Sequence, residues 1–257
     1  MKAETKKNIK IITIILIIYG LWWSMLPLWW SFRGFIDPKY YENIKTDFES
    51  RPTKFLPWQL TSRNYNSARA AYEILLERKD PESINMLIGI LKRTKDVESR
   101  GIIMKAIANL NGSDAIPVIL QVVDKYKDKK FDYTNPAEMQ KFDDYMNALE
   151  ALSIMEYEPI YPLILDLAKT GDSREKGSVL SSCLPNFKKH SKEIIFIYTK
   201  ELYISPVAWV VDQLKELGDP DAIPYIEKYL EESKDKISDY DRKQALETIE
   251  YLKSLQK

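Results

Sequence analysis

Beyond residue 64 the apolar residues recur at helical spacing, in helix-length blocks separated by short polar turns. The clearest block boundary is Leu217–Leu230, reading LGDPDAIPYIEKYL, with a sister at Leu110–Val123, reading LNGSDAIPVILQVV. Gly218 suits the residue just past a helix, where the backbone turns left-handed and a Cβ would clash. Asp219 follows as an N-cap, and Pro220 takes the first helical position, where a missing N–H costs nothing. Ile223, Ile226 and Leu230 then continue an apolar stripe down the next helix. The sister turn uses Asn111-Gly112-Ser113 and keeps Asp114-Ala115-Ile116-Pro117.

Two weaker copies align on the same proline, Lys79–Leu87 and Glu156–Ile164. Successive copies lie 32 residues apart (Ile84 to Ile116), then 45 (to Tyr161), then 62 (to Ile223). The last step leaves room for a degenerate copy near Lys192–Tyr203, and the 45-residue step absorbs a charged insert, Asp124–Gln140. Periods of this size belong to arrays of helical hairpins that cannot bury their apolar faces singly. First helices are predicted over Tyr65–Glu77, Val97–Asn109, Lys141–Met155, Ser173–Asn186 and Pro206–Leu217. Second helices are predicted over Glu82–Arg93, Asp114–Tyr126, Ile160–Lys169, Lys192–Tyr203 and Asp221–Ser233. A closing helix, Tyr240–Leu255, carries Leu246, Ile249 and Leu252 as its apolar face.

The segment Gly218-Asp219-Pro220-Asp221-Ala222-Ile223-Pro224 and its sister resemble HEAT-like repeats, in particular the short bacterial sort also found in phycobilisome lyases. The resemblance covers about residues 64–257 and implies a fold rather than a reaction, since such proteins are mostly scaffolds or binding surfaces and a minority are lyases or nucleic-acid enzymes. The expected fold class is therefore all-α, an α-solenoid of about five HEAT-like hairpins plus a C-terminal capping helix, preceded by one transmembrane helix.

That last element comes from Ile11–Trp30, an uncharged apolar run of 20 residues, long enough to cross a bilayer. Trp22-Trp23 and Trp29-Trp30 suit an interface, and the bulky residues after Gly20 argue for an uncleaved signal-anchor over a cleaved signal peptide. Lys2, Lys6, Lys7 and Lys10 before the span, against Arg33, Lys39 and Lys45 after it, put the N-terminus in the cytoplasm and the repeat domain outside, in a periplasm. Residues 1–31 are thus the basic tail and anchor, 32–63 a juxtamembrane linker or cap with a short helix over Pro38–Ser50, and 64–257 the repeat domain.

The chain has 38 basic and 38 acidic residues, and Lys2, Lys6, Lys7, Lys10 and Glu4 are the charges of the first 31 residues, leaving 34 basic against 37 acidic beyond them. That balance argues against nucleic acid as a partner. Cys183 stands alone among Val179, Leu180 and Leu184 and reads as a buried structural thiol; His190, the one histidine, reads as a surface residue. No metal set, phosphate loop or convergent acid–base pair emerges, so catalytic, cofactor and metal residues are all expected to be none, the chain is expected not to be an enzyme, and no small-molecule substrate is expected.

Binding is expected instead on the outward positions of the second helices. The alignment stacks Met86, Val118, Leu163 and Tyr225 in one row, Gly89, Gln121, Asp166 and Lys228 in a second, and Ile90, Val122, Leu167 and Tyr229 in a third. The first and third read chiefly as inter-repeat core, with their tyrosines also open to contact. The partner-binding candidates are Gln121, Lys125, Asp166, Tyr198, Tyr225, Lys228 and Tyr229, extended by Trp209 and Tyr203, with the charged insert as a second place. The function these features imply is a membrane-anchored scaffold that binds a partner protein on a concave face, in an envelope or membrane-associated assembly. A small-ligand binder or lyase-like enzyme on the same fold is the alternative, and the membrane contact would run through residues 11–30.

Overall fold

The computed structural model describes residues 38–62, 64–234 and 236–256, and every regular element among them is helical. The chain divides into two compact units, one ending at Ala106 and the other running Ile107–Lys257, so the division falls inside the stretch that the sequence treats as one repeat domain. Among the described residues no helix is long and apolar enough to cross a membrane. The transmembrane helix of the expected fold class and the single-pass localisation built on it are corrected accordingly; the segment to which they were assigned, 11–30, lies outside the described residues.

Unit 1 holds α1 (Pro38–Glu49), α2 (Leu56–Gln59), α3 (Tyr65–Arg78), α4 (Pro81–Leu91) and the start of α5 (Val97–Asn109). Helix α1 lies on α3, and side chains fix the contact: Tyr41 Oη donates to Glu73 Oε2 at 2.6 Å, Lys45 Nζ reaches Glu73 and Glu77, and the Arg69 guanidinium sits over the Tyr41 ring. Arg78 closes the other end by donating to the carbonyls of Glu49 and Arg51. Phe48, Leu56 and Leu60 are buried with Ala71, Ile74 and Leu75. Residues 38–62 therefore supply core to the first hairpin through Phe48, Leu56 and Leu60, while Phe55 and Trp58 stay about half exposed.

Unit 2 continues with α6 (Ile116–Tyr126), α7 (Pro136–Ile154), α8 (Tyr161–Thr170), α9 (Ser173–Ser182), α10 (Ser191–Glu201), α11 (Val207–Leu217), α12 (Ile223–Glu232) and α13 (Asp239–Ser254). A three-residue 3₁₀ turn precedes each second helix: Ser113–Ala115, Glu158–Ile160, Lys188–His190 and Pro220–Ala222. These turns set the true register of the degenerate copy, which starts at Ser191. In that register Ile119, Ile164, Ile194 and Ile226 coincide, and all four are fully buried. One isoleucine per repeat thus forms the spine of the core.

The turn chemistry follows the sequence with one shift. Gly218 is left-handed at φ 70°, and Asp219 accepts from the Asp221 N–H at 2.9 Å. The equivalent position is left-handed in three more copies, at Lys79 (φ 49°), Asn111 (φ 57°) and Glu156 (φ 49°). In the sister copy it is Asn111 that bends, and Gly112 keeps φ −75°. The N–H of Gly112 reaches the Ile107 carbonyl and that of Tyr157 the Leu152 carbonyl, the six-to-one closure that satisfies the end of a helix. Gly218→Ala should therefore lower stability by about 1 kcal/mol, because a left-handed Cβ is strained, whereas Glu156→Gly should leave stability unchanged or slightly raised; urea denaturation of both variants checks this. Equal losses in the two would mean that the left-handed backbone is not what the turn requires.

The capping helix differs in detail. Ile249 and Leu252 are buried, but Leu246 is exposed, and Ala245 and Thr248 complete the inner face. Leu246 lies nearly a third of a turn away from Ala245, which carries it off the stripe.

Candidate functional site

The second helices of unit 2 each bury one face and expose the opposite one. Val122, Leu167, Ile197 and Tyr229 are buried in the structural register, while Gln121, Asp166, Phe196 and Lys228 form an exposed row. Gln121, Lys125, Asp166, Tyr225 and Lys228 thus stand on the surface as candidates, whereas two others do not. Tyr198 is fully buried and donates its hydroxyl to the Leu180 carbonyl, and Tyr229 is buried with its ring against Tyr203 at 5.3 Å. Both belong to the core because they follow the inward stripe of α10 and α12. The row of Val118, Leu163 and Tyr225, expected to be core, is half-buried to exposed instead, since it flanks the spine rather than pointing at it.

The residue the sequence missed is Phe196. It is 56% exposed on α10, and Ile204 just beyond the helix is 72% exposed. Lys200 Nζ lies 4.4 Å from the Phe196 ring centre. Tyr203 continues the same face and donates its hydroxyl to Glu232 Oε2 at 2.6 Å, which ties α10 to α12. Burial and that bond raise the Tyr203 phenol to about 12, the hydrogen bond to Glu232 being the larger cause. The available signal was the run Ile194–Ile204, which holds more apolar residues than one buried stripe can use; without the proline, its register could not be set.

At the start of α8 and α10 a polar cluster takes up the one histidine. The His190 ring stacks on Tyr161 at 3.8 Å between centroids, and its Nε2 lies 2.9 Å from Glu158 Oε2. Tyr161 Oη and Lys169 Nζ both donate to Glu193, at 3.0 Å each. Those bonds, Lys169 first, hold the Glu193 carboxyl below its ordinary value, and burial pushes the Tyr161 phenol up. His190 is therefore a half-buried joint between repeats rather than the plain surface residue expected.

The charged insert is also a joint. Phe131 packs among Tyr126, Tyr133, Phe142 and Tyr145. Tyr133 Oη donates to Asp172 Oδ2 at 2.6 Å, and Asp172 is the N-cap of α9. Burial works against the Asp172 carboxylate, but the bonds from Tyr133 and from the backbone N–H groups of Glu175 and Arg174 prevail and hold its pKa down. The extra residues are spent on bracing α7 to α9. Cys183 is buried, with its thiol pushed up by burial, as the sequence reading has it.

Unit 1 contains an open cleft of about 570 Å³ lined by residues that include Trp58, Tyr65, Ile90, Arg93, Lys95 and Glu98. The Arg93 guanidinium lies 5.3 Å from the Trp58 ring centre. Its rim carries both signs of charge, with Asp96 accepting from the Ser99 N–H. None of the sequence candidates lines it. Among the described residues no three imidazole, thiol or carboxylate groups converge as a metal site would need.

No family model matches the chain, and no curated protein matches its sequence. Among solved structures, a chain of the complex of CpcE and CpcF of phycocyanin lyase from Nostoc sp. PCC7120 is similar in fold: the TM-score is 0.53 and the identity 18%, over 84% of this chain and 88% of that one. At that identity the likeness concerns the helical-repeat fold alone. It nevertheless overturns the expectation that this chain is not an enzyme, because a lyase complex is built on the same fold, and it gives no support to an absence of small-molecule substrate.

Proposed function

We propose that the protein is a helical-repeat recognition module that holds a partner protein against the exposed faces of the second helices in unit 2. The observation that carries this reading is the face of α10, where Phe196, Tyr203 and Ile204 are each more than half exposed beside Lys200. Apolar side chains presented from a packed helix lose little entropy on binding, and aromatic anchors ringed by polar groups dominate most interfaces. Asp166, Lys228 and Tyr225 on the neighbouring second helices extend the contact and set its register. A second reading, lyase-like action on a protein substrate, draws support from the shared fold with the phycocyanin lyase complex. A lyase that breaks a bond by elimination would make phycocyanin incubated with the purified chain lose the mass of the group released, and under the first reading phycocyanin stays unaltered.

The test is a photo-crosslinking residue placed at position 196 in the full-length chain, in its own cells, with position 243 on α13 as the control. A discrete protein adduct at 196 and none at 243 is expected, and Ile204→Glu should reduce its yield by about tenfold while leaving the circular dichroism unchanged. Equal adduct patterns at the two positions would sink the reading.

A further inference from the structure

The charges around Phe196 distinguish this helix from its neighbours. Lys192, Phe196, Lys200 and Tyr203 follow at steps of four, four and three along α10 and just beyond its end, and all are exposed, on the side opposite the buried Ile194, Ile197, Tyr198 and Glu201. Lys188 is exposed in the turn that leads into the helix. The acids of the same helix are committed elsewhere. Glu193 takes Lys169 at 3.0 Å and the Tyr161 hydroxyl, and Glu201 is buried on Lys176 at 2.6 Å. The second helices on either side contribute Asp166 and Lys169 from α8, and Lys228, Glu231 and Glu232 from α12. Glu227 of α12 pairs with Lys253 at 3.0 Å, and Glu232 accepts from Tyr203 and lies 3.7 Å from Lys228, so two uncommitted acids remain on these helices, Asp166 on the α8 side and Glu231 on the α12 side. The result is a cation–aromatic–cation–aromatic stripe ending in the exposed Ile204, on a chain whose formal charge is zero.

We infer that the partner meets α10 with an acidic segment bearing apolar side chains, its carboxylates on Lys192 and Lys200 and its apolar residues on Phe196 and Ile204. This rests on the recognition face proposed above and names the chemistry that it recognises. The lysine ammonium held over the Phe196 ring keeps the cation at the apolar anchor, so charge and shape are read together. Exposed lysines give their partners modest energy individually, and the discrimination comes from the repulsion that a basic segment would meet.

Fluorescence anisotropy with the full-length chain tests this, using a labelled synthetic helix with Glu on one flank and Leu and Phe on the other. Two counterparts carry Gln or Lys in place of every Glu. The acidic probe should bind about tenfold more tightly than the Gln probe, and more weakly as salt rises. Lys192→Glu/Lys200→Glu should reverse the preference and favour the Lys probe, an outcome that a merely unfolded variant cannot give. Equal affinity for the Glu and Gln probes, or an unchanged preference in the double variant, would overturn the inference. Vesicles of phosphatidylcholine with phosphatidylglycerol are the competing anion: if the chain binds them through Lys192 and Lys200 and ignores the acidic helix, the inference is likewise overturned. A cross-link from position 196 to a neutral or basic segment of a partner would refute the acidic segment and leave the recognition face standing, whereas absence of any adduct removes both.

Discussion

Ile226→Asp is expected to lower the stability of unit 2 by about 3–5 kcal/mol, while Tyr225→Asp, one residue earlier, changes it by less than about 0.5 kcal/mol. Ile226 is fully buried and belongs to the spine formed with Ile119, Ile164 and Ile194. A carboxylate there finds no cation, and either stays charged in an apolar site or protonates at a large penalty. The loss of about 3–5 kcal/mol typical of an uncompensated buried charge is a large share of the roughly 5–15 kcal/mol that holds a domain together. Tyr225 is 42% exposed, so its replacement meets water. Urea denaturation of full-length chains, followed by far- and near-ultraviolet circular dichroism, separates the two. Equal losses would mean that α12 is rotated from the orientation described, and the binding row built on Tyr225 and Lys228 would go with it.

Lys176→Met should be the most damaging substitution at a half-exposed polar residue, lowering stability by about 2 kcal/mol. Its ammonium lies 2.6 Å from the carboxylate of Glu201, whose side chain is only 6% exposed against 29% for the lysine. Glu201 stands in the last turn of α10, where the helix dipole disfavours an anion, and the Ser205 hydroxyl at 2.8 Å is its other donor. Removing Lys176 leaves a desolvated charge with half its partners. Water reaching the lysine side keeps the effect below that of a fully buried pair. The double variant Lys176→Met/Glu201→Leu should recover most of the loss, because an apolar contact replaces the pair outright. A thermodynamic cycle over the four proteins measures the coupling; additive effects would show that the carboxylate is solvated and the pair dispensable.

The helices were legible because each signal is local. Helical periodicity, the caps at Asp80, Asn135, Asp172 and Asp219, and the prolines that follow Asp80, Asn135 and Asp219 lie within one turn of the groups they satisfy. The same holds for Gly218, where a left-handed backbone selects its own residue; Lys79 and Glu156 carry that conformation without the glycine and could be placed only by analogy. The register of the degenerate copy failed on this point. With no proline at its head, α10 carries no local mark of its register, and Tyr198, a binding candidate by sequence, lies in the core. Phe196 went unnoticed for the same reason.

Charge and aromatic content misled wherever a side chain's partner lies far along the chain. Within the insert Phe131 meets Tyr145 and Tyr133 meets Asp172, and His190, a surface residue by sequence, stacks on Tyr161. The sequence by itself determined which stretches are helical and which residues turn the chain between most of them, since those choices are decided by hydrogen bonds within a few residues, although α7 begins at Pro136 rather than Lys141 and α9 ends at Ser182 rather than Asn186. Only the tertiary structure decided which face of each helix stays in water, because burial depends on the neighbours that arrive from the next repeat.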